Sequence, residues 1–170
     1  MLETSLIVAV VGSVLAIGIP TFFKNFRSDK TDEAVQILEQ IHNHAASYFE
    51  QVHNHGRLQQ CLPEKAGPTP KRPSAKRKWL RIAKLKKKAR ANWKILGIKN
   101  DQKLRYRYSF LPTKSGCNLS FPPRTPVFIV RAEGDLDGDG NYSLYERKAQ
   151  MNRKGKLVPF GPLIVRDPLE

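Results

Sequence analysis

Three aspartates on alternate residues, Asp135, Asp137 and Asp139, are followed by Gly140, Asn141, Ser143 and Glu146 in the run GDLDGDGNYSLYE. Short carboxylates at that spacing converge on one point only if the backbone curls, and Gly140 permits the curl. Counted from Asp135, the oxygen-bearing residues take the first, third, fifth, seventh, ninth and twelfth places of the twelve-residue calcium loop, with glycine sixth. Hard oxygen donors in that order predict Ca2+ held by Asp135, Asp137, Asp139, Asn141, Ser143 and Glu146. The preceding VFIVRAEG reads as strand where a helix–loop–helix site has helix. A structural ion that folds a self-repelling loop is therefore expected, not a switch.

The other residues able to do chemistry are fewer. Cys61 and Cys117 are the two cysteines, with no C-x-x-C pair to suggest zinc or thioredoxin-type chemistry. In an exported protein they would meet in one bridge across a long loop; in a cytosolic one they would stay free. His-Asn-His occurs at 42–44 and again at 53–55. Residues two apart on a helix diverge by about 200°, so neither pair chelates one ion there, and histidines on the helix surface are expected. No Walker loop, G-x-S-x-G elbow or H-E-x-x-H is present, and no enzyme is expected.

Thirty Lys and Arg oppose fifteen Asp and Glu, but no acidic residue lies between Lys71 and Lys99, so the basic balance belongs to one segment. Residues 62–78 read as a Pro- and Lys-rich loop. A helix is expected from Trp79 to about Trp93, with Trp79, Ile82, Leu85 and Ala89 as an apolar stripe among Lys84, Lys86, Lys87, Lys88 and Arg90. Such a helix could lie on an anionic membrane, bind a phosphate backbone, or cover a sheet edge with its charges in solvent. Without a base-reading motif, any DNA contact would be independent of sequence and lost with salt.

The elements that must position these residues follow from periodicity. Lys103 to Leu111 alternates Leu104, Tyr106, Tyr108 and Phe110 against Arg105, Arg107 and Ser109, the pattern of a half-buried strand. Pro126 to Ala132, Tyr142 to Lys148 and Lys156 to Phe160 supply further strands of an antiparallel sheet. Ala34, Ile37, Leu38, Ile41, Ala45, Tyr48, Phe49 and Val52 recur at helical spacing, and Gly56 is a fitting end to that helix. Upstream, Leu6 to Phe23 is eighteen residues without a charge. At about 1.5 Å per residue it spans most of a hydrocarbon core of about 30 Å. MLETS has no basic n-region and no small-x-small site follows, so a cleaved signal peptide is not expected. Glu3 costs about 2 to 3 kcal/mol at bilayer depth unless paired, and Pro20 with Gly12 and Gly18 makes the intervening turns easy to bend.

The order Glu, apolar residues, Gly, apolar residues, Ile-Pro, aromatic residues resembles the N-terminal helix of type IV pilins and type II secretion pseudopilins. The motifs W-x-x-L-G-I at 93–98, Y-x-Y-S-F, GDLDGDG and a final DPLE look like pilin-like proteins of delta-proteobacterial lineages. The resemblance implies an α+β pilin fold, a long N-terminal α-helix with a transmembrane first half, packed on a small antiparallel sheet. It divides the chain into a filament-core half-helix (1–23), an amphipathic half (24–55), a basic connecting region (56–102) and a sheet domain with the calcium loop (103–170). It implies a structural, minor subunit of a pilus or pseudopilus filament, held in the bacterial inner membrane with its domain periplasmic before joining other subunits. Glu3 would neutralise a neighbour's N-terminal amine, and Gly12 to Pro20 would loosen within the filament. Two residues precede Glu3 where mature pilins have four, and Lys24 and Arg27 would by the positive-inside rule hold the domain in the cytoplasm. The alternative is thus a membrane-tethered polyanion- or DNA-binding module led by Lys71 to Lys99, or a DNA-uptake pilin combining the two.

Overall fold

The computed structural model describes residues 31–54 and 58–168. The chain divides into two units, Met1–Asp32 and Glu33–Glu170, and nearly all described residues belong to the second. Helix α1 covers residues 31–50. Ala34, Ile37, Leu38, Ile41, Ala45 and Phe49 are buried along it, as their spacing predicts, and Tyr48 is half-buried. His42 is a correction: it lies four residues after Leu38 and three before Ala45, so it falls on the apolar stripe and is buried, while His44 faces out. Its ring packs on Phe128 at 5.4 Å between centroids.

The helix ends sooner than its pattern suggested. Gln51 still donates to the Ser47 carbonyl at 3.1 Å, but Val52 enters strand β1 (Val52–Asn54). That strand pairs antiparallel with β2 (Leu58–Leu62), and Val52 lies opposite Gln60. Gly56 lies outside the described residues, as do Leu6 to Phe23, Glu3, Gly12, Gly18 and Pro20.

After β2 come β3 (Ala66–Thr69), β4 (Lys78–Leu80), a short 3-10 turn (Ile82–Lys84), α2 (Lys87–Ile95), β5 (Gln102–Leu104) and β6 (Arg107–Pro112). Then follow β7 (Gly116–Cys117), β8 (Pro126–Gly134), β9 (Ser143–Met151), β10 (Leu157–Pro159) and β11 (Ile164–Arg166). The main antiparallel sheet runs β10-β9-β8-β6-β3, with β11 also on β9; β1-β2-β7 and β4-β5 form two smaller ribbons.

The expected pilin outline is overturned by this architecture. The described residues are built mainly of antiparallel strands, α2 has nine residues, and no helix among the described residues is long and apolar enough to cross a membrane. The amphipathic half of the expected helix ran to residue 55, whereas the chain commits Val52–Asn54 to cross-strand pairing with β2.

Two smaller differences have physical causes. The helix expected from Trp79 starts at Lys87, because Trp79 is used in β4 opposite Lys103 of β5. A helix running through 79–93 would also stack Lys84 on Lys87 and Lys88, like charges one turn apart. The strand expected over 103–111 breaks at Arg105–Tyr106, so that β5 pairs with β4 while β6 joins β3 and β8. Its alternation survives the break: Leu104, Tyr106, Tyr108 and Phe110 are all buried. The inner face of this sheet and the stripe of α1 form one core, with Phe110 and Phe128 at 5.1 Å and Tyr106 edge-on to Tyr145 at 5.7 Å.

Candidate functional site

The β8–β9 hairpin carries the acidic loop at its tip. Its last register pair is Gly134 opposite Ser143, so residues 135–142 form the connection. Gly134 is required by close approach, since a Cβ there would strike the Tyr106 ring and the Ser143 hydroxyl. Gly140 sits at φ +93°, a left-handed turn that an L side chain resists. Leu136 is buried between two aspartates and anchors the loop. At its base Arg107 bonds both Glu133 oxygens at 2.9 Å and lies 4.7 Å over the Tyr142 ring.

The curl brings Asp135, Asp137 and Asp139 together. One carboxylate oxygen from each lies within 4.8 Å of the other two. Oxygens on opposite sides of a calcium ion, at bonds of about 2.3 to 2.6 Å, are separated by about that distance, so the donor set fits one such ion. The loop's own amides orient the carboxylates: Gly138 N–H donates to Asp135 at 2.8 Å, Asp139 N–H to Asp137 at 3.2 Å and Asn141 N–H to Asp139 at 2.7 Å. The Asn141 side-chain amide donates to the second Asp139 oxygen at 2.6 Å.

Ser143 and Glu146 are placed elsewhere. A strand, not a helix, follows the loop, and residues three apart on a strand point to opposite faces. Ser143 turns into the core, where its hydroxyl has no hydrogen-bond partner. Glu146 lies about 10 Å further along β9 and is taken by Arg131, its register partner on β8, at 2.8 Å. Lys148 approaches its other oxygen at 3.6 Å. The structure thus assembles the first half of the expected ligand set and gives the closing carboxylate to a cross-strand ion pair.

Cys61 and Cys117 form a disulfide between β2 and β7, as directly opposed register partners. The bridge closes a segment whose ends are 56 residues apart and which contains the whole of Lys71 to Lys99.

Within that segment the five cations singled out by sequence are dispersed. Lys84 closes the 3-10 turn, and Lys86 and Lys87 stand exposed at the start of α2. Lys88 pairs with Glu64 at 2.8 Å, and Arg90 donates to the Ala83 carbonyl at 3.4 Å. Sequence reasoning missed two other features. Glu33, buried in the first described turns of α1, accepts from Arg77 at 3.0 Å and from the Arg105 backbone at 2.6 Å, with the Arg105 guanidinium at 3.5 Å. An acid directly before Ala34 at the start of the apolar stripe was its available signal. Trp79 was assigned to an apolar stripe, yet it is 58% exposed, with the Lys103 ammonium 4.6 Å over its ring. Trp93 is the buried tryptophan, donating to Thr69 at 3.0 Å.

No family model, curated protein or solved structure matches this chain.

Proposed function

We propose that the chain is a structural, minor subunit of a type IV pilus or related pseudopilus filament, anchored in the inner membrane before assembly and with its sheet domain on the periplasmic or outer side. The observation that carries it is the disulfide between β2 and β7, because such bridges persist in oxidising compartments. The order of Glu3, Gly12, Gly18 and Pro20 in an apolar run supports membership of a filament. The aspartate cluster supports a bound Ca2+ that stiffens the domain, with Asp135, Asp137 and Asp139 as carboxylate ligands. Bound there, the ion would supply charge neutralisation to a loop that otherwise repels itself.

The test is to shear filaments from cells producing the full chain, and to probe the sheared and cellular fractions by immunoblot and by mass spectrometry of Cys61 and Cys117. The chain is expected in the filament fraction in oxidised form, and Glu3→Ala is expected to leave it in the membrane. A chain found in the cytoplasm with both thiols free would overturn the reading.

A further inference from the structure

We infer that the β4–β5 ribbon is a binding surface for single-stranded nucleic acid, with Trp79 as the platform on which a base stacks and Arg81 and Lys103 as its phosphate contacts. Three observations lead there. First, pairing of β4 with β5 sets Trp79 directly opposite Lys103, and the ring keeps more than half its surface in solvent although a buried position would suit it better. The ribbon therefore presents an indole that the core does not use.

Second, the charge around the ring is unbalanced. Thirteen Lys and Arg and no acid lie between Lys71 and Lys99. Among the described residues Arg77 is held by Glu33 and Lys88 by Glu64, while Lys78, Arg81, Lys84, Lys86, Lys87 and Lys103 have no carboxylate within ion-pair distance. Asp101, at the entry to β5 and bonded to the Asn100 amide at 2.6 Å, is a single negative charge against these six cations. Cations left this way attract a polyanion and release its counterions on binding.

Third, the form of the surface selects among polyanions. Bases in a duplex are stacked on one another and offer no face to an indole, whereas single-strand binders combine a cationic track with exposed aromatic rings. A bilayer would need more than one apolar residue to enter it, but the other large exposed apolar side chains among the described residues, Tyr142, Phe160 and Val165, lie on other elements. The Lys103 ammonium lies 4.6 Å over the ring; on binding it yields that face to the base and turns to the phosphate of the same nucleotide. The inference stands apart from filament assembly, since the ribbon belongs to the folded unit of residues 33–170.

The chain provides its own probe. Of its two tryptophans only Trp79 is exposed, so quenching on binding reports the platform while Trp93 reports the fold. The full chain in non-ionic detergent is titrated with oligothymidylate, with a DNA duplex of equal length, with heparin and with phosphatidylglycerol vesicles. Oligothymidylate is expected to quench the emission and to bind more tightly than the other three. Followed by the anisotropy of a dye-labelled oligothymidylate, Trp79→Ala should weaken binding about tenfold or more with an unchanged salt slope, and Trp79→Phe should retain most of it. Lys103→Gln should flatten the salt slope by about 0.7. Duplex, heparin or vesicles binding as tightly as oligothymidylate, or Trp79→Ala binding like the parent with an unchanged melting temperature, would overturn the proposal.

Discussion

The tip of the β8–β9 hairpin and the β4–β5 ribbon carry opposite charges assembled in opposite ways. The acidic tip is local: three aspartates within five residues are aimed by the loop's own amides, and each side chain needs only its neighbours to find its place. The basic ribbon is made by contacts across long stretches of sequence, with Trp79 against Lys103 and Arg77 held by Glu33 from α1. Charge at the first is concentrated to a point and asks for a small ion; at the second it is spread along a surface and suits an extended partner. The disulfide separates them further, since the ribbon lies inside the closed segment and the hairpin outside it.

The largest effect should come from opening that segment. With ends 56 residues apart, the bridge restricts the unfolded chain by about 4 kcal/mol. Replacing both Cys61 and Cys117 by Ser should lower unfolding stability by about that amount in urea titration. Amide exchange should rise more across residues 62–116 than across β8 and β9. Equal rises in both would break the contrast. Next, Glu33→Ala removes a buried carboxylate shared by Arg77, the Arg105 guanidinium and the Arg105 backbone N–H, and should cost about 3 kcal/mol. Exchange at residues 77–80 should be the most affected, because Arg77 leads directly into β4.

These contrasts explain what was legible in the sequence. Period-two and helical spacing revealed α1, β6, β8 and β9 because their burial is one-sided and repeats within a few residues. The aspartate triad was legible because its geometry is local. At Glu146 the motif counts residues and does not register whether strand or helix follows; here a strand turns that side chain to Arg131. Trp79 was misread for a related reason. Its environment is set by β5, more than twenty residues later, and helical spacing within 79–93 could not register that partner. Apolar spacing also does not show where an element stops: Val52 continues the helical stripe in the sequence but enters β1.

Calcium tests the acidic side. At a hundredfold excess over its dissociation constant, an ion bound only to the folded chain adds about 2.7 kcal/mol. The melting temperature should therefore rise with CaCl2 and return with EGTA. Asp137→Asn and Asp139→Asn should each abolish the rise. Glu146→Gln should preserve it while costing about 1 kcal/mol for the weakened Arg131 pair. Loss of the calcium response in Glu146→Gln would mean that the twelfth loop position ligates the ion, and that the loop remodels β9 on binding.

The smallest effect concerns the core beneath both regions. His42 is pressed against Phe128, its Nε2 has no hydrogen-bond partner, and the Arg147–Glu39 pair at 3.1 Å supplies charge of both signs nearby. Burial holds its pKa below the usual 6.5; Asn43 opposes this through its side chain, Arg147 adds to it and Glu39 works against it. The folded chain thus keeps the ring neutral while the unfolded chain protonates it near 6.5. Stability from this site is complete above that pH and is lost as pH falls toward the lower folded value. The slope is at most about 1.4 kcal/mol per pH unit. Urea titrations between pH 7 and 5 should show that decline, and His42→Leu, which removes the titrating group and the unsatisfied nitrogen together, should reduce it. An equal decline in His42→Leu would place the acid sensitivity in the charged surface regions instead, and would make the two less independent of the core than their construction implies.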